Sequence, residues 1–349
     1  MALGFDRQIV ISPHIGDLET PMALDGAEQV TREFPQYFKQ LPDAVIVDLH
    51  PDMQSSRLGK KYAAEHELNI FKIQHHHAHA AAVMAEFNLT ESLALVFDGT
   101  GLGGDGKIWG AELLHVVPGD CRRLGTFKDV PLPGGDAAVR RPARQLIARW
   151  LDAGVTVNSD WLSILKVTAQ EFNAWSVQCR RHINAVSTHA AGRVFDAWSA
   201  LLGVAPHQVT YEGQAAVWME TVAKDIAAAS QEEIMFDTVL QDDLLFVDFA
   251  RAFARFASDP PKADMIPALA KGFHSSIIRA GLKMAQHGRE VSGCSTVVLA
   301  GGVMINKIIA NGLVDLLKNN GFIVLLPRLV PVNDGGISPG QIYAIGGNL

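Results

Sequence analysis

Residues Gln74 to Gly101 read QHHHAHAAAVMAEFNLTESLALVFDGTG, and the reading of this stretch decides the fold. Four of the thirteen histidines fall in its first six positions. An alanine-rich run then predicts a helix over His75–Phe87, and the apolar LALVF before Asp98 predicts a strand. On that helix His75 and His79 lie four apart and His76 and His79 three apart, so either pair shares one face. Two imidazoles one turn apart can grip a metal if carboxylates arrive from elsewhere. A polar helix start with merely solvated histidines is the competing reading at this point. Outward toward the N-terminus, Ala44–Asp48 and Ile70–Ile73 read as strands and Ser55–His66 as the helix between them. The histidines therefore follow the carboxyl end of a strand, where open α/β sheets place ligands.

Composition narrows the class. With 349 residues the chain can bury a sizeable core. A formal net charge of −7, without a basic run, argues against nucleic acid as partner. No apolar run is long enough for a bilayer span, and the start MALGFDR lacks the parts of a signal peptide. Cys121, Cys179 and Cys294 are odd in number and form no C-x-x-C. Together these predict a cytoplasmic protein with no membrane partner.

The rest of the chain continues the α/β theme. Gln8–Ser12 reads as a strand and Leu24–Phe38 as a helix that Pro35 should end or kink. Ala44–Asp48, continuously apolar, is expected to be covered on both faces. Leu93 onward reads as a long glycine-tipped hairpin, with a third strand over Arg122–Phe127 and a helix over Ala137–Leu151. Residues 152–250 read as mostly helical, and a helix spans Met265–His287. Thr296–Ala300, Lys307–Asn319 and Phe322–Leu326 read as strand, helix and strand, followed by a loop into a final helix. This order suggests two related lobes around a cleft: residues 1–89, and residues 90–349 with a helical insertion at about 152–290.

Several smaller patterns carry two readings. The glycine tip Asp98–Gly106 can cradle a phosphate with successive N–H groups, or be only a tight turn. It is neither a P-loop nor a dinucleotide fingerprint. Gly301-Gly302 before a helix resembles a nucleoside site, and equally a compact strand–helix turn. Asp334, in N-D-G-G, is either a turn former or a carboxylate ligand. His14, in S-P-H-I-G-D, is either a general base or a surface loop histidine.

Six ordered motifs connect these pieces: H-H-H-A-H, F-D-G-T-G-x-G-x-D-G-x-x-W-G-A-E, A-G-R-V-F-D-A, Y-E-G-Q-A-A, L-A-G-G-V-x-x-N and P-V-N-D-G-G-I-S-x-G-Q. In this order they resemble the carboxyl-terminal part of the hydrogenase maturation carbamoyltransferases (HypF), over nearly the whole chain. More distantly they resemble antibiotic O-carbamoyltransferases and tRNA threonylcarbamoyl-transfer enzymes. The resemblance implies an actin-like, ribonuclease H-like fold of two lobes, the last helix packing back on the first. It implies one metal ion, iron or zinc, held by His75, His79, Asp98 and Asp334. It implies an adenine nucleotide (carbamoyl-adenylate or ATP): Gly99, Thr100 and Gly101 along its phosphate, Gly192, Asp196 and Glu212 at the ribose, and Gly301, Gly302 and Asn306 at the adenine. The implied reaction passes a carbamoyl group from carbamoyl-adenylate to the C-terminal cysteine of a HypE-type partner, with His14 as base.

Full-length relatives also carry an acylphosphatase-like domain, C-x-x-C zinc modules and an adenylate-forming YrdC-like domain, motifs this sequence lacks. A separate YrdC-like partner is therefore expected to supply the donor, and the first lobe is expected to lack its first strand. R-R-P-A-R at 140–144 and His189 also depart from the family pattern. The alternatives are a non-catalytic metal- and nucleotide-binding scaffold and an O-carbamoyltransferase for a small molecule.

Overall fold

The strand Ser92–Phe97 is the axis of the structure, and all six of its residues are buried. It pairs antiparallel with Ala111–Val117 and parallel with Thr296–Ala300. The full sheet has seven strands, in the order Asp237–Gln241, Leu244–Asp248, Asp120–Phe127, Ala111–Val117, Ser92–Phe97, Thr296–Ala300 and Ile323–Leu325. The computed structural model describes residues 1–18, 20–117, 119–227 and 230–346.

Alternation along the central strand divides the core in two. Leu93, Leu95 and Phe97 join the larger cluster, on the face covered by the helix Ile266–Ser292. Ala94 and Val96 join Ala80, Val83 and Met84 of the histidine helix, His75–Phe87, on the other face. In the larger cluster Trp198 stacks on Phe273 with ring centroids 4.8 Å apart. The buried indoles of Trp150 and Trp161 donate to the carbonyls of Phe253 and Phe256, so burying them leaves no N–H unpaired.

The first 73 residues add two small sheets. Ala2–Phe5 and Gln8–Ile11 form an antiparallel hairpin, followed by the helix Pro21–Tyr37. Ala44–Asp48 and Asn69–Ile73 pair in parallel around the helix Gln54–Glu65, with Asp48 opposite Ile73. The closing helix Ile337–Ile345 lies against the histidine helix and also touches the first hairpin.

Several expectations change. Ala44–Asp48 is only partly buried rather than covered on both faces: it belongs to a two-stranded sheet, and its first three residues stay partly exposed. Pro35 does not stop its helix, which runs to Tyr37, since proline in the last turn costs little helix beyond it. Pro142 splits the expected helix 137–151 at Arg141. The stretch expected to be mostly helical also forms the strands Ala185–Thr188, Asp237–Gln241 and Leu244–Asp248. The last of these extends the main sheet beside Asp120–Phe127.

Candidate metal centre

The histidine helix begins at Gln74, whose side chain accepts from the His77 amide and donates to the Leu102 carbonyl. One residue thus caps the helix and ties it to the glycine-rich loop. From the first turn the rings of His75 and His79, both buried, point one above the other with centroids 5.0 Å apart. Asp48, at the end of its strand, accepts from His75 Nδ1 at 2.8 Å. That bond puts the proton on Nδ1 and leaves the Nε2 lone pair free.

Asp98 lies just beyond the central strand. Its Oδ1 accepts from the Gly302 amide at 3.0 Å, because the parallel strand Thr296–Ala300 ends beside it. Its Oδ2 is 3.3 Å from His75 Nε2 and 3.4 Å from His79 Nε2. Asp334 opens the short turn Asp334–Gly336 and brings Oδ1 to 3.7 and 3.4 Å from the same two nitrogens. The loop before it is held by Glu86 of the histidine helix, whose carboxylate accepts from the amides of Arg328, Leu329 and Val330 at 2.8 to 3.4 Å.

The cluster fits a metal ion. His75 Nε2 and His79 Nε2 are buried with no hydrogen-bond partner, a costly state for two nitrogens. Tetrahedral bonds of about 2.0–2.2 Å place neighbouring donor atoms about 3.3–3.6 Å apart. The nitrogen–oxygen separations of 3.3, 3.4, 3.4 and 3.7 Å match that spacing. Burial pushes both imidazoles toward neutrality, but the carboxylates around them outweigh it and raise both above the ordinary histidine range. Burial would likewise raise Asp98 and Asp334, yet the histidines hold both below the usual carboxylate range. A cluster that favours imidazolium and carboxylate in this way is one a cation can enter by displacing protons.

Known proteins are similar to this chain over nearly its whole length. The family described as "Carbamoyltransferase, Kae1-like Domain, second subdomain" matches residues 94–341, and "HypF Kae1-like domain" matches residues 1–86. The chain belongs to the HypF carbamoyltransferase family. It is 34% identical over 341 residues to a carbamoyltransferase HypF homolog of Cupriavidus necator, covering 96% of this chain and 86% of that protein. It is 31% identical to carbamoyltransferase HypF of Rhodobacter capsulatus, covering 98% of this chain but 44% of the relative. Full-length HypF, solved in a phosphate- and nucleotide-bound form, superposes with a TM-score of 0.84 at 30% identity, over 96% of this chain and 51% of that one. The chain therefore spans most of one relative and about half or less of the others.

Around this cluster the remaining expected residues fall into two groups. Gly99 and Gly101 adjoin Asp98, with Gly101 against the rings of His75 and His76. Gly192 donates its amide to the Asp98 carbonyl at 3.0 Å, docking the helix Ala191–Leu201 on the same loop. Gly301 donates to the Val332 carbonyl and Gly302 to Asp98. Glu212 is exposed beside Gly99; loss of hydration, then the charges of Asp334 and Asp98, raise its carboxyl above the usual range, while Arg193 opposes this. Asp196 and Asn306 are occupied elsewhere. Asp196 is buried and pairs with Arg193, and Asn306 caps the helix Lys307–Asn319 while donating to His274. His14 sits exposed in the loop after Ile11, and Thr100 is exposed in the glycine loop.

Asp48, Gln74, Glu86 and Arg193 hold positions around the cluster that sequence reading passes over. Asp48 had a usable signal, since it ends the strand parallel to the one that leads into the histidines. Glu86 had none, because its partners are more than 240 residues away. Among the described residues no helix is long and apolar enough to cross a membrane.

Proposed function

We propose that this chain is the carbamoyl-transferring part of a [NiFe]-hydrogenase maturation system, moving the group from carbamoyl-adenylate to the C-terminal cysteine of a HypE-type protein. The observation that carries it is the cluster of His75, His79, Asp98 and Asp334, with two orphaned nitrogens, beside the Asp98–Gly101 loop. Two imidazoles and two carboxylates suit zinc or iron. A bound metal supplies charge stabilisation to the donor's phosphate.

The residues of the chain do the rest. The loop Gly99–Gly101, free of side chains at both glycines, lets the adenylate approach Asp98, with Gly301 and Gly302 on its other side. His14 takes the proton of the cysteine thiol. The thiolate sulfur forms a bond to the carbamoyl carbon, the carbon–oxygen bond to phosphate breaks, and AMP leaves with that electron pair. Asp17, in the His14 loop, acts electrostatically on Glu212, which supports this loop's bordering the same cleft. A separate YrdC-like domain would make the adenylate. The reaction belongs in the cytoplasm.

The same reading takes the fold as actin-like. A three-strand meander, Ser92–Phe97 to Asp120–Phe127, followed by parallel strands Thr296–Ala300 and Ile323–Leu325 supports a ribonuclease H-like lobe over residues 90–349. Residues 1–89 form the other.

The test supplies carbamoyl-adenylate and a peptide ending in cysteine to zinc-loaded or iron-loaded protein. Mass spectrometry should show a peptide thiocarboxamide and free AMP. Adenylate binding without thiocarboxamide would favour a scaffold, and product only on small-molecule hydroxyls an O-carbamoyltransferase.

A further inference from the structure

Beside the metal cluster lies a cation whose task nothing above assigns. Arg193 is in the first turn of the helix Ala191–Leu201 and only 4% exposed. Its Nη1 is 2.9 Å from Asp196 Oδ2, so one edge of the guanidinium is anchored in the interior. The other edge faces the glycine loop: Nη2 lies 3.6 Å from where a side chain on Gly99 would begin, and Glu212 Oε1 lies 3.1 Å from the same point. Any residue other than glycine at 99 would stand between this arginine and the space next to Asp98. Nε is buried and makes no hydrogen bond, and the contact of Nη1 with Asp196 is an ion pair outside hydrogen-bond geometry.

The helix N-terminus does not fill this role with its backbone. Its first amides are spent within the fold, Ala191 on the Gly110 carbonyl, Gly192 on the Asp98 carbonyl and Arg193 on the Ala190 carbonyl. The anion-binding capacity at this helix end is therefore a side chain. The charges around it are unequal. Asp196 is shared with Arg149, and Asp98 and Asp334 are committed to the histidine cluster. Glu212 is exposed to solvent, so it compensates Arg193 poorly. A buried guanidinium held at one edge and open at the other is suited to a tetrahedral oxyanion, to which it donates through a planar fork.

We propose that Arg193 binds the phosphate oxygens of the adenylate, on the Gly99 side of the site, and steadies the charge that AMP carries away. The assignment rests on the adenylate reading above. Arg193 acts with the metal cluster on one group: the cluster approaches the phosphate from the histidine helix and Arg193 from the opposite side of the loop.

Calorimetry with AMP and adenosine on zinc-loaded protein separates the phosphate from the nucleoside. Wild type should prefer AMP to adenosine. Arg193→Met should lose roughly tenfold to a hundredfold in AMP affinity, with adenosine affinity and zinc content unchanged. Arg193→Lys keeps a cation beside Asp196 and so protects the fold. Its compact ammonium cannot serve both partners, and about a tenfold loss for AMP is expected. Folded Arg193→Lys and Arg193→Met proteins that keep the wild-type preference for AMP would overturn the assignment to Arg193 alone. Wild type binding AMP no better than adenosine would overturn the adenylate reading, and the assignment with it.

Discussion

Asp48 and His75 are joined by a 2.8 Å hydrogen bond between a carboxylate and a ring nitrogen, both buried, from strands and helices 27 residues apart in sequence. The bond selects the tautomer that presents Nε2 to Asp98 and Asp334, and it makes the imidazole a stronger donor. Asp48→Ala should therefore weaken zinc binding about tenfold to a hundredfold while the protein stays folded. Asp48→Asn, which still accepts a hydrogen bond without the charge, should fall between. Zinc titration against a competing chelator measures both; equal affinity in all three proteins would remove Asp48 from the site.

The candidate ligands themselves give the sharper outcome. His79→Ala and Asp334→Ala each leave one gap in a four-donor set. Both should bring zinc content close to none after gel filtration and weaken AMP binding in parallel. Tight AMP binding by metal-free His79→Ala protein would separate the two sites and refute a shared one.

Glu86 joins the histidine helix to the loop that carries Asp334, accepting from three successive amides. Glu86→Gln loses the charge that makes those bonds strong, and Glu86→Ala loses the bonds. Hydrogen exchange should rise at residues 328–334 in Glu86→Ala, and zinc affinity should fall about tenfold, with Tm nearly unchanged because the contact is exposed. Unaltered exchange over that loop would show that other contacts hold Asp334 in place.

How much of this can be read from sequence depends on how local the cause is. The bounds of the histidine helix are legible because Gln74 caps it and Asn88, in a left-handed conformation, ends it. The central strand is legible from its apolar run. The four candidate ligands follow from resemblance to a family, since spacing alone pairs the histidines and leaves Asp334 as an ordinary turn residue. The hairpin Asp237–Gln241 with Leu244–Asp248 is hidden because its first strand is exposed throughout and shows no two-residue alternation. Asp48 and Glu86 act across long sequence separations, so no window of residues displays their roles.

His274 is a buried reporter of pH remote from those ligands in sequence. Its Nδ1 donates to the Ala270 carbonyl, and its Nε2 accepts from Asn306, a bond that requires the neutral ring. Burial lowers its pKa from 6.5 to about 4. The unfolded chain takes up the proton first, so this stability is complete above pH 6.5 and is lost as pH falls toward 4. Over that window it amounts to about 3 kcal/mol. Urea midpoints from pH 7 to 4.5 should fall more steeply for wild type than for His274→Gln. Parallel slopes would mean that His274 is protonated in the folded protein.

Gly340 lets the closing helix touch the histidine helix backbone to backbone. A methyl group there would sit 1.8 Å from the Ala78 carbonyl oxygen and 2.8 Å from the Ala82 amide nitrogen, neither of which can rotate away. Gly340→Ala must therefore push the helices apart, at a cost of about 1–3 kcal/mol or more. Ala78 lies directly before His79, and the closing helix follows directly from the turn that carries Asp334. The displacement thus separates His75 and His79 from Asp334 as well as costing stability. Ile309→Val, in the buried face of the helix Lys307–Asn319, removes a methyl group from the core away from this contact and serves as a control for stability loss alone. At temperatures where both variants are fully folded, zinc affinity should drop at least about tenfold in Gly340→Ala and stay at the wild-type value in Ile309→Val. If Gly340→Ala binds zinc like wild type, the two helices do not set the spacing of the ligands.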